Sequence, residues 1–411
     1  MNDNPAKFVY LDNGDSTPVL PEVLEAMLPF FTRNCGNPAS LHQFGLEAEL
    51  AVDEARETIA AAVGVQPQEI IFTSGATESN NLAFNGLRAM RPEKRHLVIS
   101  PIEHASVRNV AKTWAKREGF ELTELDVDGE GRVDPDSLRR AIRDDTLLVS
   151  IIHGNNEIGV IQDLDTLGGI CRDAGVPLHA DCAQSLGKVP LDIGALPVDL
   201  ASLNAHKLHG PKGVGALYVR RKVKIRRLFE GSPQEGGLRP GTENVPGIIG
   251  FAKAVEIAVR DRETVMPRVE ELTRRLAEGL LAVEHTRLNG PPIGPERLPG
   301  NLNVTFRYIE GEAILMHMNM EGVYVSSGSA CSSKSLVPSH VLTSIGLLHE
   351  EAHGSIRYTL SRLNTEEEVD RALEVTRRAV DRLRAMTAFI PERDSKRLNP
   401  EAKSFYKEKG D

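Results

Sequence analysis

The sequence predicts an α/β protein: a mostly parallel sheet wrapped by helices on both sides, followed by a smaller α+β domain. Two observations carry that expectation. Through the first two-thirds of the 411 residues, short apolar and β-branched runs alternate with helix-length stretches, the pattern of parallel strands joined by crossover helices. Beyond about residue 248 the pattern changes to one long helix, a Pro/Gly-rich break, and strands with helices between and after them.

The elements follow in order. Glu69-Ile70-Ile71-Phe72-Thr73 is a short strand candidate closed by Ser74-Gly75, and a helix-compatible stretch runs from there toward Met90. His96-Leu97-Val98-Ile99-Ser100 precedes a helical pattern over 104–116. Residues 146–152 are an unbroken β-branched and leucine run, as expected of a strand covered on both faces. Further strands are expected over 176–180, 199–203 and 214–219. A helix over about 248–282 ends at Asn289-Gly290-Pro291-Pro292-Ile293-Gly294-Pro295. Strands are expected over 301–306, 323–327 and 355–360, and a last helix over 365–386 that opens on a Thr365-x-x-Glu368 capping pattern.

Composition narrows the function. Apolar residues make up 40% and charged residues 26%, which fits a globular chain and argues against disorder or fibrous repeats. Lys plus Arg is 49 against 58 for Asp plus Glu, a net charge of -9, so nothing points to a dedicated nucleic-acid or anionic-membrane binder. The longest apolar stretches are far too short to span a bilayer. The opening Met1-Asn2-Asp3-Asn4-Pro5 has neither a basic nor an apolar region, so no secretory signal is visible and a cytoplasmic setting is expected. The four cysteines, Cys35, Cys171, Cys182 and Cys331, form no CxxC, so reduced thiols are expected rather than a disulfide framework or a zinc site.

In an open α/β sheet, ligands sit beyond the carboxyl ends of the strands, and four such places carry polar groups. In Thr73-Ser74-Gly75-Ala76-Thr77-Glu78, Gly75 allows a tight turn and the amides of Ala76 and Thr77 would open a helix, which suits a phosphate or an ordinary helix cap. Asp181, directly after an apolar strand, needs a cation or several donors to offset desolvation: a protonated pyridine nitrogen, an arginine or a helix start would serve. Lys207 closes the strand ending in Asn204-Ala205-His206-Lys207, where a lysine is either a surface charge or an amine nucleophile. The following Gly210-Pro211-Lys212-Gly213-Val214-Gly215 fits neither dinucleotide nor Walker-type spacing. Cys331 stands in Ser326-Ser327-Gly328-Ser329-Ala330-Cys331-Ser332-Ser333-Lys334-Ser335, a run suited to an exposed, flexible loop rather than a packed core. An anion cradle, a strand-end acid, a strand-end amine and a loop thiol together fit pyridoxal 5'-phosphate chemistry. The basic run Arg220-Arg221-Lys222 with Lys224, Arg226 and Arg227 could touch an acidic partner or a tRNA, but such a run is more often a solvated strand end, so a nucleic-acid partner is not expected.

Several segments, taken in order, resemble cysteine desulfurases of the NifS/IscS type, which are class V aminotransferase relatives. They are Ser74-Gly75-Ala76-Thr77-Glu78-Ser79-Asn80, Asn155-Asn156-Glu157-Ile158-Gly159, His206-Lys207 with Gly210-Pro211-Lys212-Gly213, Arg239-Pro240-Gly241-Thr242-Glu243-Asn244, and Ser326 to Cys331. The similarity runs over about 9–383. It implies the fold-type I architecture of pyridoxal-phosphate enzymes, with a seven-stranded, mostly parallel sheet and a smaller α+β C-terminal domain. The division it suggests is an N-terminal arm over 1–15 packing with the small domain, and a large cofactor-binding domain over 16–258. A small domain over 259–392 would carry the Cys331 loop, and 393–411 would be a polar tail.

The resemblance also implies roles. Lys207 would hold the cofactor covalently, Asp181 would pair with its ring nitrogen, Gln184 would bond its ring oxygen, and His104 would stack on the ring and assist proton transfer. Ala76, Thr77, Asn204 and His206 would hold the phosphate, with the partner subunit's Thr242 reaching in across a homodimer. Asn156 and Arg357 would position the substrate, L-cysteine, with Arg357 gripping its carboxylate. Cys331 would take the sulfur as a persulfide, leaving alanine, and pass it to an acceptor such as an iron–sulfur scaffold protein; no resident metal is implied, although Cys331 could ligate a cluster transiently. The alternatives are a selenocysteine lyase, a class V aminotransferase-like enzyme, or a sulfur-relay scaffold with weak turnover.

This chain departs from the family pattern at three places. Asn13-Gly14-Asp15-Ser16-Thr17 stands where a small, hydroxyl-rich Tyr-Ser-Ala-Thr-Thr segment is usual, placing an acid near a pocket meant for an amino-acid carboxylate. Asn204 replaces the usual phosphate-binding serine, and Gly231-Ser232-Pro233-Gln234-Glu235-Gly236-Gly237 replaces Gly-Gly-Gly-Gln-Glu-Arg-Gly.

Overall fold

The computed structural model describes residues 8–327 and 338–386; Cys331 lies outside the described residues. The strands in chain order are β1 (Val9–Tyr10), β2 (Ile70–Thr73), β3 (His96–Ile99), β4 (Glu121–Glu124), β5 (Thr146–Ile152), β6 (Leu178–Asp181), β7 (Leu200–Asn204), β8 (Gly215–Val219), β9 (Thr286–Leu288), β10 (Asn301–Phe306), β11 (Val323–Tyr324), β12 (Ser326–Ser327) and β13 (Ser355–Thr359). Seven of them form the main sheet in the order β2-β8-β7-β6-β5-β3-β4, with β8 antiparallel to both its neighbours and the other pairs parallel.

Alternate strand residues feed two different cores, which is why these strands read as continuous apolar runs. Ile71, Leu97, Ile99 and Leu217 pack under the helices Ala76–Met90 and Ala105–Arg117 with Phe84, Leu87 and Trp114. Phe72, Val98, Val149 and Tyr218 face the opposite side, against Val52 and Ile59 of the helix Gln43–Ala62 and Phe251 and Val255 of the long helix. β4 is the exception. It is an edge strand with no buried position, and Glu121-Leu122-Thr123-Glu124 offers a single apolar side chain, so it carries little sequence signal.

The long helix Val245–Leu281 has Pro267 inside it and changes core along its length: Val245, Ile248 and Phe251 belong to the sheet core, while Val269, Leu272 and Leu276 belong to a second one. That second core lies on the antiparallel sheet β12-β13-β10-β9 and on the helices Gly311–Met320 and Glu366–Met386. The Thr365 cap forms as the sequence predicts, with Thr365 N donating to Glu368 Oε2 at 3.2 Å and Glu368 N to Thr365 Oγ1 at 3.3 Å.

One strand expectation needs correction. Residues 323–327 are not one strand, because Val323–Tyr324 pairs in parallel with β1 whereas Ser326–Ser327 pairs with Arg357 and Ile356 of β13. The chain changes sheets at Val325. The N-terminal arm thereby joins the second core through Val9 and Leu11, and then runs past Thr359 toward the carboxyl edge of the main sheet.

Candidate active site

The six strands of the main sheet other than β8 run in one direction, so the ends of β2, β3, β5, β6 and β7 deliver their following residues to one edge. Asp181 ends β6 and is 3% exposed. Its Oδ2 accepts from Asn80 Nδ2 at 2.9 Å and its Oδ1 from Ala183 N at 3.0 Å. No arginine or lysine forms an ion pair with it among the described residues, which removes the salt-bridge reading and leaves a buried carboxylate with donors but no counter-charge.

Asn80 reaches further. The same Nδ2 donates to Ser106 Oγ at 2.7 Å, and Ser106 Oγ lies 2.7 Å from His104 Nδ1. His104 caps the helix Ala105–Arg117, with Nδ1 accepting from Ser106 N at 3.2 Å. That bond assigns Nδ1 as the acceptor, and burial holds the imidazole below its ordinary pKa, so the ring is neutral. Neither Asn80 nor Ser106 stands out in sequence as a site residue beyond the motif that contains Asn80. Beside His104, Glu103 is fully buried, accepts from Ile152 N at 2.5 Å, and leaves Oε2 without a partner. Burial first, and then the nearby charge of Asp181, push its carboxyl well above the usual range.

Lys207 follows β7, one strand over from Asp181, and its backbone is fixed by a tight turn. Gly210 N donates to Ala205 O at 3.0 Å, and a Cβ on Gly210 would come within 2.8 Å of Ala205. Its amine donates to Gly14 O at 2.5 Å and to Asp15 O at 2.8 Å. Gly14 O also accepts from Gln184 Nε2 at 2.8 Å, and Gln184 Oε1 accepts from Lys188 Nζ at 3.0 Å. Both ends of the Gln184 amide are therefore engaged within the protein. Burial, and then the charge of Lys207, push the half-buried Lys188 amine down to about 7.

The anion cradle is present in its parts. The helix Ala76–Met90 follows its N-cap Gly75; the Glu78 carboxylate reaches back to accept from Ser74 N at 2.8 Å, but among the described residues no side chain accepts from the amides of Ala76 and Thr77. Its first amides are thus left for another acceptor. Gly75 has φ of +148°, and a Cβ there would meet no atom within 4 Å, so space is open above the turn. Below it, a Cβ on Gly215 would strike Gly75 Cα at 2.7 Å, which seats the turn directly on the sheet. Asn204 Oδ1 and His206 Nδ1 are buried without hydrogen-bond partners. Burial, and then the charge of Lys207, hold the His206 imidazole down at about 4. Free helix amides and two unsatisfied polar side chains beside a strand-end lysine fit a phosphorylated, aldehyde-bearing cofactor. The uncompensated Asp181 fits its basic ring nitrogen.

Arg357, in β13, is 2% exposed. Its Nη2 pairs with Asp15 Oδ1 at 2.7 Å and Asp12 Oδ1 at 3.0 Å, its Nη1 donates to Asn156 O at 3.3 Å, and its Nε is buried without a partner. Burial opposes ionisation of Asp15, but Arg357 overcomes it and holds that carboxyl below the usual range, whereas burial and then Asp15 push Asp12 up. Glu157, next to Asn156, is buried and shifted by that burial to about 7, with Ser339 Oγ donating to its Oε2 at 2.5 Å.

The structure thus brings Asp181, His104, Gln184, Lys207, Asn204, His206, Ala76, Thr77, Asn156 and Arg357 to one edge. Thr242 is exposed, in the turn before the long helix. Cys331 is outside the described residues. Its chain neighbours Ser326 and Ser327 pair with Arg357 and Ile356. Of the other thiols, Cys35 is exposed, whereas Cys171 and Cys182 are buried, with burial pushing Cys171 up to about 12 and raising Cys182 as well. The basic run is tied down in part: Arg220 donates to Leu196 O and Val198 O, and Arg226 and Arg227 pair with Glu230, while Arg221, Lys222 and Lys224 are exposed. No helix among the described residues is long and apolar enough to cross a membrane.

Residues 9–372 match the family model for class-V aminotransferases. A cysteine desulfurase IscS of Methanosarcina thermophila is 49% identical over 386 residues, covering 94% of this chain and 95% of its own length. A solved NifS-like protein superposes with a TM-score of 0.84 at 38% identity, over 92% of this chain and 99% of that one. A structure described as SspA in complex with cysteine superposes with a TM-score of 0.76 at 36% identity, over 87% of this chain and 99% of that one.

Proposed function

We infer the reaction from the family as well as the site: the chain belongs to the class-V aminotransferase family and, within it, to the cysteine desulfurases of the NifS/IscS type. It is a pyridoxal-phosphate-dependent enzyme that takes sulfur from L-cysteine. The observation that carries this reading onto the residues is Asp181, a buried carboxylate with no counter-charge among the described residues, lying one strand from the Lys207 amine.

The bound cofactor supplies an electron sink that lets the substrate's Cα–H ionise and weakens its C–S bond. The remaining roles fall to this chain. Lys207 is the covalent anchor, and once released its Nζ accepts the Cα proton. Asp181 keeps a proton on the ring nitrogen, and Asn80 fixes the orientation of that carboxylate. Neutral His104, with Nδ1 committed to Ser106, offers Nε2 for proton transfer and its ring face for stacking. The amides of Ala76 and Thr77, with Asn204 and His206, hold the phosphate, and Gln184 bonds the ring oxygen through the second hydrogen of Nε2, the one not donated to Gly14 O. Arg357 and Asn156 orient the substrate carboxylate.

Cys331, as thiolate, attacks the substrate sulfur. The new S–S bond forms as the C–S bond breaks, alanine leaves, and a persulfide stays on Cys331. Covalent geometry limits the four-residue tether from Ser327 to about 14 Å, and Ser327 sits one register position from Arg357.

The protein is a homodimer in this reading, with the partner subunit's Thr242 completing the phosphate site. Exposed Leu24, Leu28, Phe31, Leu41, Phe44 and Leu50 supply an apolar surface for a second copy. The arm over 1–15, the large domain over 16–258 and the small domain over 259–392 are its working units. The acceptor is a sulfur-accepting protein such as an iron–sulfur scaffold, in the cytoplasm.

The test is one assay with purified holoprotein, L-cysteine and a reductant, measuring alanine and sulfide together. Equal yields of the two support the desulfurase. Alanine only from L-selenocysteine would replace it with a lyase of that substrate, and amino transfer to an oxo acid without sulfide would make it an aminotransferase. A colourless protein that cannot be loaded with cofactor would leave only a scaffold.

A further inference from the structure

The arginine expected to hold the substrate carboxylate already holds one. Asp15 Oδ1 sits 2.7 Å from Arg357 Nη2, while the backbone carbonyl of the same residue accepts from the Lys207 amine at 2.8 Å. One residue of the N-terminal arm therefore engages both groups that an incoming amino acid needs. Arg357 Nε, buried and without a partner, shows that this internal contact does not use the whole guanidinium. We propose that the Gly14-Asp15 turn is an internal occupant of the amino-acid site, and that Asp15 sets how tightly an α-carboxylate substrate binds.

The contact is built to be displaced at the side chain rather than at the backbone. On one side Asn13 Nδ2 donates to Thr359 O at 2.9 Å and Gly14 N to Thr359 Oγ1 at 2.6 Å, and a Cβ on Gly14 would strike Thr359 at 2.9 Å. On the other, Thr17 N donates to His206 O at 2.9 Å. Between these anchors the Asp15 side chain is 40% exposed, against 22% for Asp12 and 3% for Arg357. Asp15 can turn into solvent, whereas Asp12, the less exposed of the two and with its backbone bridged to Thr359, stays as the background partner of Arg357.

A carboxylate ligand must take Nη2 from Asp15, or bind beside an uncompensated like charge. That penalty is the same in the substrate complex and in the transition state, so it falls on KM and not on the chemical step. It applies to any α-amino acid, including the product alanine. The inference rests on the proposed reading of the site as one for L-cysteine, but its test does not depend on turnover alone.

The experiment compares holoprotein carrying Asp15→Ser or Asp15→Asn with the unaltered chain. Affinity for L-alanine is measured by calorimetric titration, and KM and kcat for L-cysteine are measured in parallel. Both variants are expected to bind L-alanine about two- to fivefold tighter, the size of one partly exposed ion pair, with kcat/KM rising by a similar factor through KM. Asp15→Glu, which can restore the contact, is expected to return both values toward the original. Asp15→Asn keeps the shape of the side chain and guards against a packing defect in the serine variant. Unchanged L-alanine affinity in both variants would overturn the proposal. Tighter L-alanine binding with no sulfide from any variant would instead uphold the proposal and remove the desulfurase reading.

Discussion

Asn80 and Asp181 share a 2.9 Å hydrogen bond that ties the helix Ala76–Met90 to the end of β6, and the same Asn80 nitrogen donates to Ser106. One amide therefore sets both the Asp181 carboxylate and, through Ser106, the His104 imidazole. Buried networks of this kind are worth more than isolated bonds because each member fixes the next.

Asn80→Ala is expected to weaken retention of pyridoxal phosphate about tenfold, the lower range for loss of a hydrogen bond to a charged group. Ser106→Ala, which cuts only the His104 branch, should retain cofactor better while still slowing turnover. Equilibrium dialysis followed by cofactor absorbance measures the first effect. Equal cofactor loss in the two variants would mean that Asn80 does not act through Asp181.

Lys207 is the amine expected to carry the cofactor, and Lys212, five residues on, is the nearest competitor in its glycine-rich turn. Borohydride reduction of the unaltered holoprotein should place the label on the peptide containing Lys207. Lys207→Ala should lose the covalent spectrum and lower turnover by about 10²- to 10⁴-fold, the range for removal of a positioned base. A label on Lys212 would move the anchor and with it the whole assignment of the site.

The main sheet was legible where both faces are covered. β5 agrees with its sequence run over 146–152 to the residue, because each of its seven positions is buried. β4 was invisible for the converse reason, as an exposed edge needs no apolar pattern. Strand-end chemistry at Asp181 and Lys207 was readable because a charged group after a buried strand has few ordinary explanations. The partnership of Asn80 with Ser106 was not, since it spans 26 positions and depends on how two helices pack. The acid at Asp15 was visible as a departure, but its contact with Arg357 spans the arm and β13 and exists only in the folded chain.

Cys331→Ala is expected to keep the cofactor spectrum and to make no sulfide from L-cysteine under reducing conditions. Cys182 and Cys171 cannot replace it, because burial disfavours their thiolates and closes them to substrate. Cys182→Ala should therefore leave sulfide release intact. Substantial sulfide from the Cys331 variant, abolished by adding Cys182→Ala, would transfer the sulfur-accepting role to Cys182.

His179 gives the fold a defined acid sensitivity. Its ring lies wholly buried in β6, with Nδ1 2.9 Å from Ser150 Oγ and Nε2 3.0 Å from Ser202 Oγ, bridging three adjacent strands. Burial holds its pKa down at about 4, against an ordinary value near 6.5. Between those values the unfolded chain binds the proton and the folded chain does not, so stability falls as pH drops from about 6.5 toward 4 and is fully present above 6.5. One such group contributes a slope of up to about 1.4 kcal/mol per pH unit in that window. Urea unfolding of the unaltered protein and of His179→Gln at pH 7, 6 and 5 measures this. The variant is expected to be less stable at pH 7, through lost packing, yet to lose less on going to pH 5. Parallel losses in the two proteins would assign the acid sensitivity to other buried histidines, such as His153, rather than to the ring between Ser150 and Ser202.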